Sequence, residues 1–364
     1  MFTAGMVLCV AALAGAPDSG RVSASRPMDE IIGVTHVAGA YNLGEAKRDF
    51  LNQGADEVLA LGSKTIKVWF TNPRNSYPFN SEWPDSFESL VEMARHPHYK
   101  ALFEKPFKTV VLLVYALGRP EHYWTNGVTP EQEADEERQF YELSRHLLTA
   151  YGDSGKTFVL QHWEGDWAIR GHYDAEKDPA PEAFEGMARW LNARQRGVER
   201  ARAEMKTADA RVFHAAEVNL VMRLLDGGRP GVVNKVLPQT RLDLVSYSAW
   251  DAMGAKDDLR RALDYIAEQT PDSAVFGAKN VYLGEFGWPE NDDPEKHRTA
   301  VRNAVETGLD WGCPWLIYWE LFCNEPRNRP VLGNDDCRGF WLIKPDGTRA
   351  WAWEYLRGVL EKGH

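Results

Sequence analysis

The chain has 364 residues, of which 44% are hydrophobic and 26% charged, an ordinary globular composition that excludes a disordered chain, a collagen-like fibre and a coiled coil. Its 53 acidic and 42 basic side chains give a formal net charge of -11. A duplex-DNA-binding protein normally has the reverse balance, so nucleic acid is not expected as a partner. The 14 tryptophans offer flat apolar faces with a polar edge, which suit protein interfaces and sugar rings.

The first segment, residues 1–16, reads as a signal peptide. It carries no charge, contains an apolar run, and ends in Ala14-Gly15-Ala16, which resembles a signal-peptidase site. We therefore expect a secreted or periplasmic protein. The remaining sequence shows no second apolar run of membrane length, so no membrane contact is expected after removal of the signal.

Strongly apolar, β-branched runs recur along the rest of the chain. Near-continuous apolar strands of this kind are typical of a parallel sheet that is covered on both faces. We predict eight such strands, at 31–36, 65–70, 109–115, 157–163, 212–217, 242–247, 280–285 and 315–320.

Amphipathic or charged stretches between these strands predict surface helices, at 46–61, 130–151, 181–207, 256–269 and 294–310. Eight strand-then-helix units predict an α/β fold, a (β/α)8 TIM barrel with extended βα loops, as a single domain over residues 26–364. A doubly wound open sheet is the alternative. The regular eight units and the absence of a Gly-rich phosphate loop in the sequence favour the barrel.

Three of the four cysteines remain if the signal segment, which contains Cys9, is removed. Cys323 and Cys337 enclose a short polar loop, and an oxidising compartment would allow them to form a disulfide. Cys313 would then be a buried free thiol between Trp311 and Trp315. The cysteine spacing resembles no zinc-binding pattern.

Two long predicted loops, 72–106 and 118–136, follow strands two and three and are expected on the C-terminal face of the barrel, where active sites are built. They contain the aromatic or histidine side chains Trp83, His122, Tyr123 and Trp124. We expect at least one of these side chains to line a ligand cleft.

Several predicted strands end in acidic or aromatic residues. An acid at the C-terminal end of a barrel strand projects into the shared cleft. The segments 161–167 and 282–288 carry Glu164 and Glu285 on strands four and seven. Paired carboxyls with aromatic neighbours are typical of glycoside hydrolysis, in which one carboxyl donates a proton and the other attacks the anomeric carbon.

Here the sequence resembles the clan A glycoside hydrolases, in their cellulase-like branch. Tyr282-Leu283-Gly284-Glu285-Phe286-Gly287-Trp288 is similar to the strand-seven segment of that superfamily. The resemblance implies a (β/α)8 barrel with Glu285 as nucleophile and Glu164 as acid/base. It also implies that Trp319 floors the subsite of the reacting sugar and that Tyr247 hydrogen-bonds the nucleophile.

The sequence departs from that pattern at two positions. Trp163 stands where the superfamily usually has Asn, directly before the acid/base, and Lys67 is offered where the cellulase-like branch usually has Arg. Because of the first departure, Asp166 and Glu217 remain alternative proton donors.

Further strand-end side chains complete the set of candidate substrate contacts. Glu217 and Asn219 follow strand five and could contact a sugar or support the site. Glu320 could bind a hydroxyl or pair with an Arg, and His36 is expected as a hydrogen-bonding wall residue. The full set of predicted substrate-binding residues is Trp163, Trp319, Tyr247, His36, Lys67, Trp69, Asn219, Glu217, Trp288 and Glu320.

The predicted function is a secreted retaining glycoside hydrolase that cleaves a β-linked oligo- or polysaccharide, with carbohydrate as its partner and no cofactor. A non-catalytic carbohydrate-binding barrel is one alternative, which the departure at Trp163 favours. A metal-dependent barrel hydrolase is less favoured, because its usual His-x-His pair is missing from strand one, where Thr35-His36-Val37 stands.

Overall fold

The computed structural model describes residues 26–44, 48–206 and 208–362. The predicted signal peptide and Cys9 lie outside the described residues. No helix in these ranges is long and apolar enough to cross a membrane.

Eight parallel strands form a closed barrel in which each strand pairs with its neighbours in sequence, and β1 pairs with β8. The predicted (β/α)8 barrel is therefore confirmed, and the open sheet is excluded. The strands are β1 (Ile32–His36), β2 (Thr65–Phe70), β3 (Thr109–Val114), β4 (Thr157–Gln161), β5 (Arg211–Val218), β6 (Leu244–Ser248), β7 (Val281–Phe286) and β8 (Leu316–Tyr318).

Helices cover the outside of the barrel and form parts of the loops. The long ones begin with clear capping signals: Thr129 and Gln132 form a reciprocal capping box before Pro130, and the Asp293 side chain accepts from the Lys296 backbone N–H before Pro294. The helices are α1 (Met28–Ile31), α2 (Phe50–Leu61), α3 (Pro73–Ser76), α4 (Leu90–Arg95), α5 (Pro97–Glu104), α6 (Pro130–Ala150), α7 (Gly165–Arg170), α8 (Pro181–Glu204), α9 (Val221–Gly227), α10 (Val232–Lys235), α11 (Lys256–Gln269), α12 (Pro294–Trp311) and α13 (Trp351–Lys362).

Two hydrophobic cores follow from the alternation of side chains along each strand. A small core fills the barrel interior and includes Phe213, Tyr282 and Trp315. A much larger core lies between the strands and the surrounding helices and includes Val68 and Leu283. Alternation therefore decides which strand residues reach the interior of the barrel.

Most element boundaries differ from the sequence predictions by one to four residues, including those of α2, β4 and β8. α2 begins at Phe50, because the Asp49 side chain caps it by accepting from the Asn52 backbone N–H. β4 ends at Gln161 and β8 at Tyr318, two residues before the predicted ends in both cases. The side chains that follow these strands are therefore placed by turns rather than by the sheet.

Candidate active site

A cleft opens at the C-terminal ends of the strands and has two lobes. The nucleophile lobe, of about 360 Å³, is lined by Asn219, Leu220, Ser248, Trp250, Asp251, Glu285, Trp319, Glu325 and Phe340. The acid lobe, of about 220 Å³, is lined by His122, Ala168, Gly171 and His172. Trp163, Glu164, Trp167 and Tyr173 line both lobes and so separate and connect them.

Glu285 reaches the cleft because β7 contains a bulge. Tyr247 of β6 pairs with Leu283, whereas the next residue, Ser248, pairs with Glu285, so Gly284 is the extra residue. A Cβ on Gly284 would lie 1.7 Å from Ser246 Oγ, so only glycine fits here. Without the bulge, alternation would turn Glu285 toward the outer core, where Leu283 packs.

Four donors hold the buried Glu285 carboxylate. Lys67 Nζ (2.9 Å) and Trp163 Nε1 (3.1 Å) donate to its Oε1 atom. Ser248 Oγ (2.8 Å) and Trp250 Nε1 (3.3 Å) donate to its Oε2 atom. Burial raises the pKa of Glu285, and the Lys67 ammonium and the Ser248 hydroxyl oppose that rise. The donors thus favour the ionised form that a nucleophile requires.

Below Glu285, a polar layer closes the barrel interior. Glu217 Oε2 accepts from Lys67 Nζ (2.9 Å), Gln161 Nε2 (2.8 Å) and Ser246 Oγ (2.8 Å), and the Tyr282 hydroxyl donates to Gln161 Oε1. Lys67 is fully buried and donates to both carboxylates. We call Lys67, Gln161, Glu217, Ser246 and Tyr282 the floor of the cleft.

Glu164 stands at the turn between β4 and α7, with φ 38° and ψ 65° in the left-handed region. Gly165 permits this turn, because a Cβ there would lie 2.5 Å from the Glu217 carbonyl oxygen. The Glu164 backbone N–H donates to Glu217 Oε1 at 3.0 Å, so the floor also fixes the backbone of the candidate acid.

The Glu164 carboxyl itself has a different environment. It is half-buried, and no described residue donates a hydrogen bond to it. Burial and the carboxylates of Glu285 and Glu217 hold the pKa of Glu164 well above its usual range. A carboxyl that keeps its proton near neutral pH can act as a general acid.

The two alternative proton donors lie outside the cleft lining. Asp166 is fully buried, and its carboxylate accepts from the backbone N–H groups of Val232 (2.9 Å) and Asn219 (3.2 Å). Burial raises the pKa of Asp166 to about 6. Glu217 is also buried, and its carboxylate accepts from three side chains of the floor and from the Glu164 backbone N–H. The geometry therefore favours Glu164 over both.

An aromatic wall flanks the carboxyls. The rings of Trp163 and Trp319 lie 6.0 Å and 5.6 Å from Trp69, measured between centroids. The Trp163 backbone N–H donates to the Tyr115 hydroxyl, and the Tyr115 ring packs under the Arg194 guanidinium. A buried ion pair between Arg194 and Glu136 thus supports this wall from behind.

Seven of the ten predicted substrate contacts line neither lobe: Lys67 and Glu217 lie in the floor, Trp69 packs against Trp163 and Trp319, and the remaining four are Tyr247, His36, Trp288 and Glu320. Tyr247 faces the outer core, and its hydroxyl donates to Asp251 at 2.7 Å; the hydroxyl that donates to Glu285 belongs to Ser248, the next residue. The expected Tyr247–nucleophile hydrogen bond is therefore wrong. His36 also faces outward, where its Nε2 lies 2.9 Å from the Phe50 carbonyl oxygen in space left by Gly54.

Trp288 and Glu320 are the other two. The Lys296 ammonium lies 3.6 Å from the Trp288 ring centroid. Glu320 is fully buried and accepts from the Asn324 backbone N–H at 3.0 Å, and burial holds its pKa well above the usual range. Trp163, Asn219 and Trp319 line the cleft, while Lys67 and Glu217 lie beneath it.

Sequence reasoning missed several residues of the cleft. Ser248, Asp251, Phe340 and Tyr173 were not among the candidates, nor were Trp167 and Trp250, although both follow predicted strand ends. Alternation along β6 could have identified Ser248, because Leu244, Ser246 and Ser248 share one face of the strand. Among the loop residues expected to reach a cleft, His122 lines the acid lobe, while Trp83 stacks on His96 at 4.7 Å.

The three described cysteines are buried free thiols. Cys313 is therefore placed as expected. Cys323 and Cys337 form no disulfide in this structure, and the Cys323 thiol donates to the Glu325 carbonyl oxygen at 3.6 Å. Within the described ranges, no three His, Cys, Asp or Glu side chains are grouped so that they could hold a metal ion.

Comparisons of the whole fold show what this chain is similar to. An exo-β-1,4-mannosidase from Opitutaceae bacterium strain TAV5 aligns with TM-score 0.56 and 15% identity over 96% of this chain, which spans 62% of the mannosidase's length. A GH5-4 broad specificity endoglucanase from Bacteroides salanitronis aligns with TM-score 0.56 and 12% identity over 92% of this chain and 93% of its own. A GH5 family lichenase from Caldicellulosiruptor sp. F32 aligns with TM-score 0.54 and 10% identity over 99% of both chains.

These likenesses establish that the chain has the barrel fold of GH5 glycoside hydrolases, which are clan A enzymes. The resemblance to that superfamily seen in the sequence is thus confirmed at the level of the fold. No protein-family model matches the chain, and no curated protein matches it in sequence.

Proposed function

We propose that the protein is a retaining glycoside hydrolase that cleaves a β-linked oligo- or polysaccharide by double displacement. One observation carries the proposal: two carboxyls share one cleft, and their environments differ as the two roles demand. Glu285 receives four donors, and Lys67 and Ser248 among them oppose the rise that burial gives its pKa, whereas Glu164 receives none from the described residues and its pKa is raised well above the usual range. Environments that separate the protonation states of two carboxyls assign the acid and the nucleophile.

In the first step, an oxygen of the Glu285 carboxylate forms a bond to the anomeric carbon. The glycosidic C–O bond breaks, its electron pair goes to the leaving oxygen, and Glu164 gives that oxygen its proton. In the second step, Glu164 takes a proton from a water molecule, whose oxygen attacks the same carbon and releases Glu285.

The charge balance of the site suits this reaction. With Glu164 protonated, the Lys67 ammonium faces the two carboxylates of Glu217 and Glu285, which leaves one net negative charge. An oxocarbenium-like transition state is positive, so a fixed negative charge near it is stabilising. Trp319 supplies an apolar face in the same lobe for the reacting sugar.

The structural neighbours support the same class of reaction. Their names describe a mannosidase, an endoglucanase and a lichenase, all of which act on glycans. Carbohydrate is accordingly the proposed partner of this chain.

The test is a screen of the purified protein for hydrolysis of β-linked oligosaccharides, with the product anomer followed by NMR. We expect retained configuration, and no turnover in Glu285→Gln. Glu320→Gln is the matched control, since it alters a strand-end glutamate outside the cleft lining and should leave turnover intact. Inversion of the anomer would contradict double displacement, and full activity of Glu285→Gln would contradict the assignment of the nucleophile.

The same screen separates hydrolysis from binding alone. If calorimetry showed glycan binding by the wild-type protein without release of reducing ends, the protein would be a carbohydrate-binding barrel and not a hydrolase. Glu164 has its own test: Glu164→Gln should lose most activity on oligosaccharides, whereas on a glycosyl fluoride the first step should persist, because fluoride departs without protonation. The glycosyl-enzyme should then accumulate, since the second step still lacks its base.

A location outside the cytoplasm is also proposed, on the uncharged apolar segment 1–16 with its Ala14-Gly15-Ala16 site. N-terminal sequencing of the protein recovered from the medium or periplasm tests this proposal. Recovery of the full-length chain from the cytoplasm would contradict it.

A further inference from the structure

An aromatic pair that the catalytic steps above do not use lines the acid lobe and, like Glu164, also the nucleophile lobe. The rings of Trp167 and Tyr173 lie 5.6 Å apart, tilted by 56°. Tyr173 is 77% exposed and is the one aromatic residue among the exposed large hydrophobics of the described chain. A large ring held at the surface beside a cleft is typical of a ligand-contacting residue.

The position of this pair is fixed relative to Glu164. Trp167 lies on α7, the helix that begins directly after Glu164. Hydrogen bonds to Asp166, on the same helix, connect α7 to the rest of the barrel. The Asp166 carboxylate accepts from Val232 and Asn219, and its backbone carbonyl oxygen accepts from the Arg170 guanidinium at 2.6 Å. Asp166 therefore anchors the helix that carries Trp167 next to the acid, and the Tyr173 ring lies against Trp167.

The pair can contact the sugar on the leaving-group side of the scissile bond, because Trp167 and Tyr173 line the acid lobe as well as the nucleophile lobe. This conclusion rests on the proposed function. Glu285 and Trp319 line only the nucleophile lobe, whereas Glu164 lines both lobes. The acid must reach the oxygen that joins the two sugar units. A sugar attacked by Glu285 in one lobe therefore places the next unit across Glu164, in the acid lobe.

The charges of the cleft narrow the chemical class of the substrate. Four carboxyl side chains line the two lobes, those of Glu164, Glu285, Asp251 and Glu325, and no Lys or Arg is among their lining residues. Burial, with a smaller effect of Arg194, lowers the pKa of His122, so its imidazole is neutral at pH 7. A sugar that carries a carboxylate would meet these carboxyls with no Lys or Arg among the lining residues to pair with; the second imidazole of the acid lobe is that of His172.

We infer that Trp167 and Tyr173 form a platform on which the leaving-group sugar of an uncharged glycan stacks. The platform positions the leaving oxygen against the Glu164 proton, and the carboxyls that line the cleft select against uronic acid units. Its contribution depends on the aromatic ring and not on the Tyr173 hydroxyl.

The experiment compares wild type, Tyr173→Ala, Tyr173→Phe and Leu332→Ala on three substrates. The substrates are an uncharged β-linked oligosaccharide, the β-glycosyl fluoride of the same sugar, and an oligosaccharide with a uronic acid as leaving unit. Leu332 is 86% exposed and lines neither lobe, which makes it a matched control for loss of a surface apolar side chain.

We expect Tyr173→Ala to lower kcat/KM on the uncharged oligosaccharide by about three- to tenfold, the value of one stacking contact. Its kcat/KM on the fluoride, which has no leaving-group sugar, should stay unchanged. Tyr173→Phe and Leu332→Ala should match wild type on both, and the uronic acid substrate should be cleaved at least tenfold more slowly.

The contrary outcomes separate the two proposals. Equal losses on oligosaccharide and fluoride, or no loss on either, would overturn the platform while leaving the proposed function in place. Equal cleavage of the uronic acid substrate would overturn the selection for uncharged glycans. A wild-type protein inactive on the fluoride and on every oligosaccharide would overturn the proposed function, and the leaving-group platform with it.

Discussion

The floor of the cleft and the surroundings of Glu164 give their carboxyl groups opposite environments. In the floor, the Glu217 carboxylate has a donor for each oxygen, and Lys67 also donates to Glu285 above it. At the wall, the Glu164 carboxyl has no donor from the described residues and lies near two other carboxylates. Donors keep a buried carboxylate ionised, whereas their absence lets a neighbouring carboxyl gain and lose a proton.

The two regions also differ in how they are built. The floor residues lie on strands, where the alternation of side chains fixes the direction in which each one points. The Gly284 bulge does the same for Glu285 above them. Glu164 and the Trp167–Tyr173 pair come from a turn and the segment that follows. Strand residues therefore hold the Glu217 carboxylate of the floor, whereas Glu164, the proposed proton donor, lies in a turn.

Removal of the floor cation should have the largest effect. Lys67→Met leaves the carboxylates of Glu217 and Glu285 buried without their shared partner, which typically costs about 3–5 kcal/mol of unfolding free energy. We expect kcat to fall about 10²–10³-fold as well, since Glu285 loses its strongest charged donor. Denaturant unfolding and steady-state kinetics measure both effects. Lys100→Met, on an exposed helix face, is the control, and equal behaviour of the two variants would show that Lys67 does not support the floor.

A smaller change in the same region displaces the nucleophile without removing a charge. In Gly284→Ala, the new Cβ would overlap Ser246 Oγ and approach Glu217 Oε2, so the bulge must shift. We expect a loss of about 1–3 kcal/mol in stability and a clear loss of kcat. Gly254→Ala is the matched control, because a Cβ there has no neighbour within 4 Å. Unchanged kcat in Gly284→Ala would show that the bulge does not place Glu285.

Loss of one neutral donor tests the ionisation of Glu285 directly. The Ser248 hydroxyl holds the pKa of Glu285 down, so Ser248→Ala should raise that pKa. Glu285 must be ionised to attack, and the acidic limb of the kcat/KM profile should therefore move to higher pH, with about a tenfold loss of activity. If only the basic limb moved, the titrating group behind the acidic limb would not be Glu285.

The smallest effect is expected for Glu164, and here the substitution should stabilise the folded protein rather than destabilise it. The pKa of Glu164 is higher in the folded protein than its ordinary value, so the folded state loses stability as the pH rises above that ordinary value. Glu164→Gln removes this penalty and should raise the unfolding temperature at pH 7, with no gain at pH 4. Thermal unfolding at the two pH values checks it. A lower unfolding temperature at pH 7 would mean that the Glu164 carboxylate is stabilised in a way the geometry does not show.

The barrel could be predicted from the sequence because its strands are buried on both faces and their apolar runs are nearly continuous. The run Thr65–Phe70 and the helix Lys256–Gln269 have the same bounds in sequence and structure. Glu285 was predicted from its segment at the end of a strand, and the structure places it in the cleft. Those features depend on local composition, which the sequence displays directly.

Positions that depend on pairing between strands were harder to predict. Tyr247 and His36 were assigned to the cleft, but alternation turns both toward the outer core. Lys67 was expected to contact substrate and instead lies beneath Glu285. The Gly284 bulge and the left-handed turn at Glu164 arise from contacts with Ser246 and Glu217, which are distant in the sequence.

The anchoring of α7 through Asp166 has a consequence for protein engineering. The helix ends at Gly171, whose φ of 68° closes the last turn, and Tyr173 follows after only one further residue. The position of Glu164, the proposed acid, depends on contacts made before this glycine, whereas the exposed ring of Tyr173 comes after it. The segment beyond Gly171 is therefore a natural site for loop exchange, by which a new product range could be selected while the proton donor stays in place.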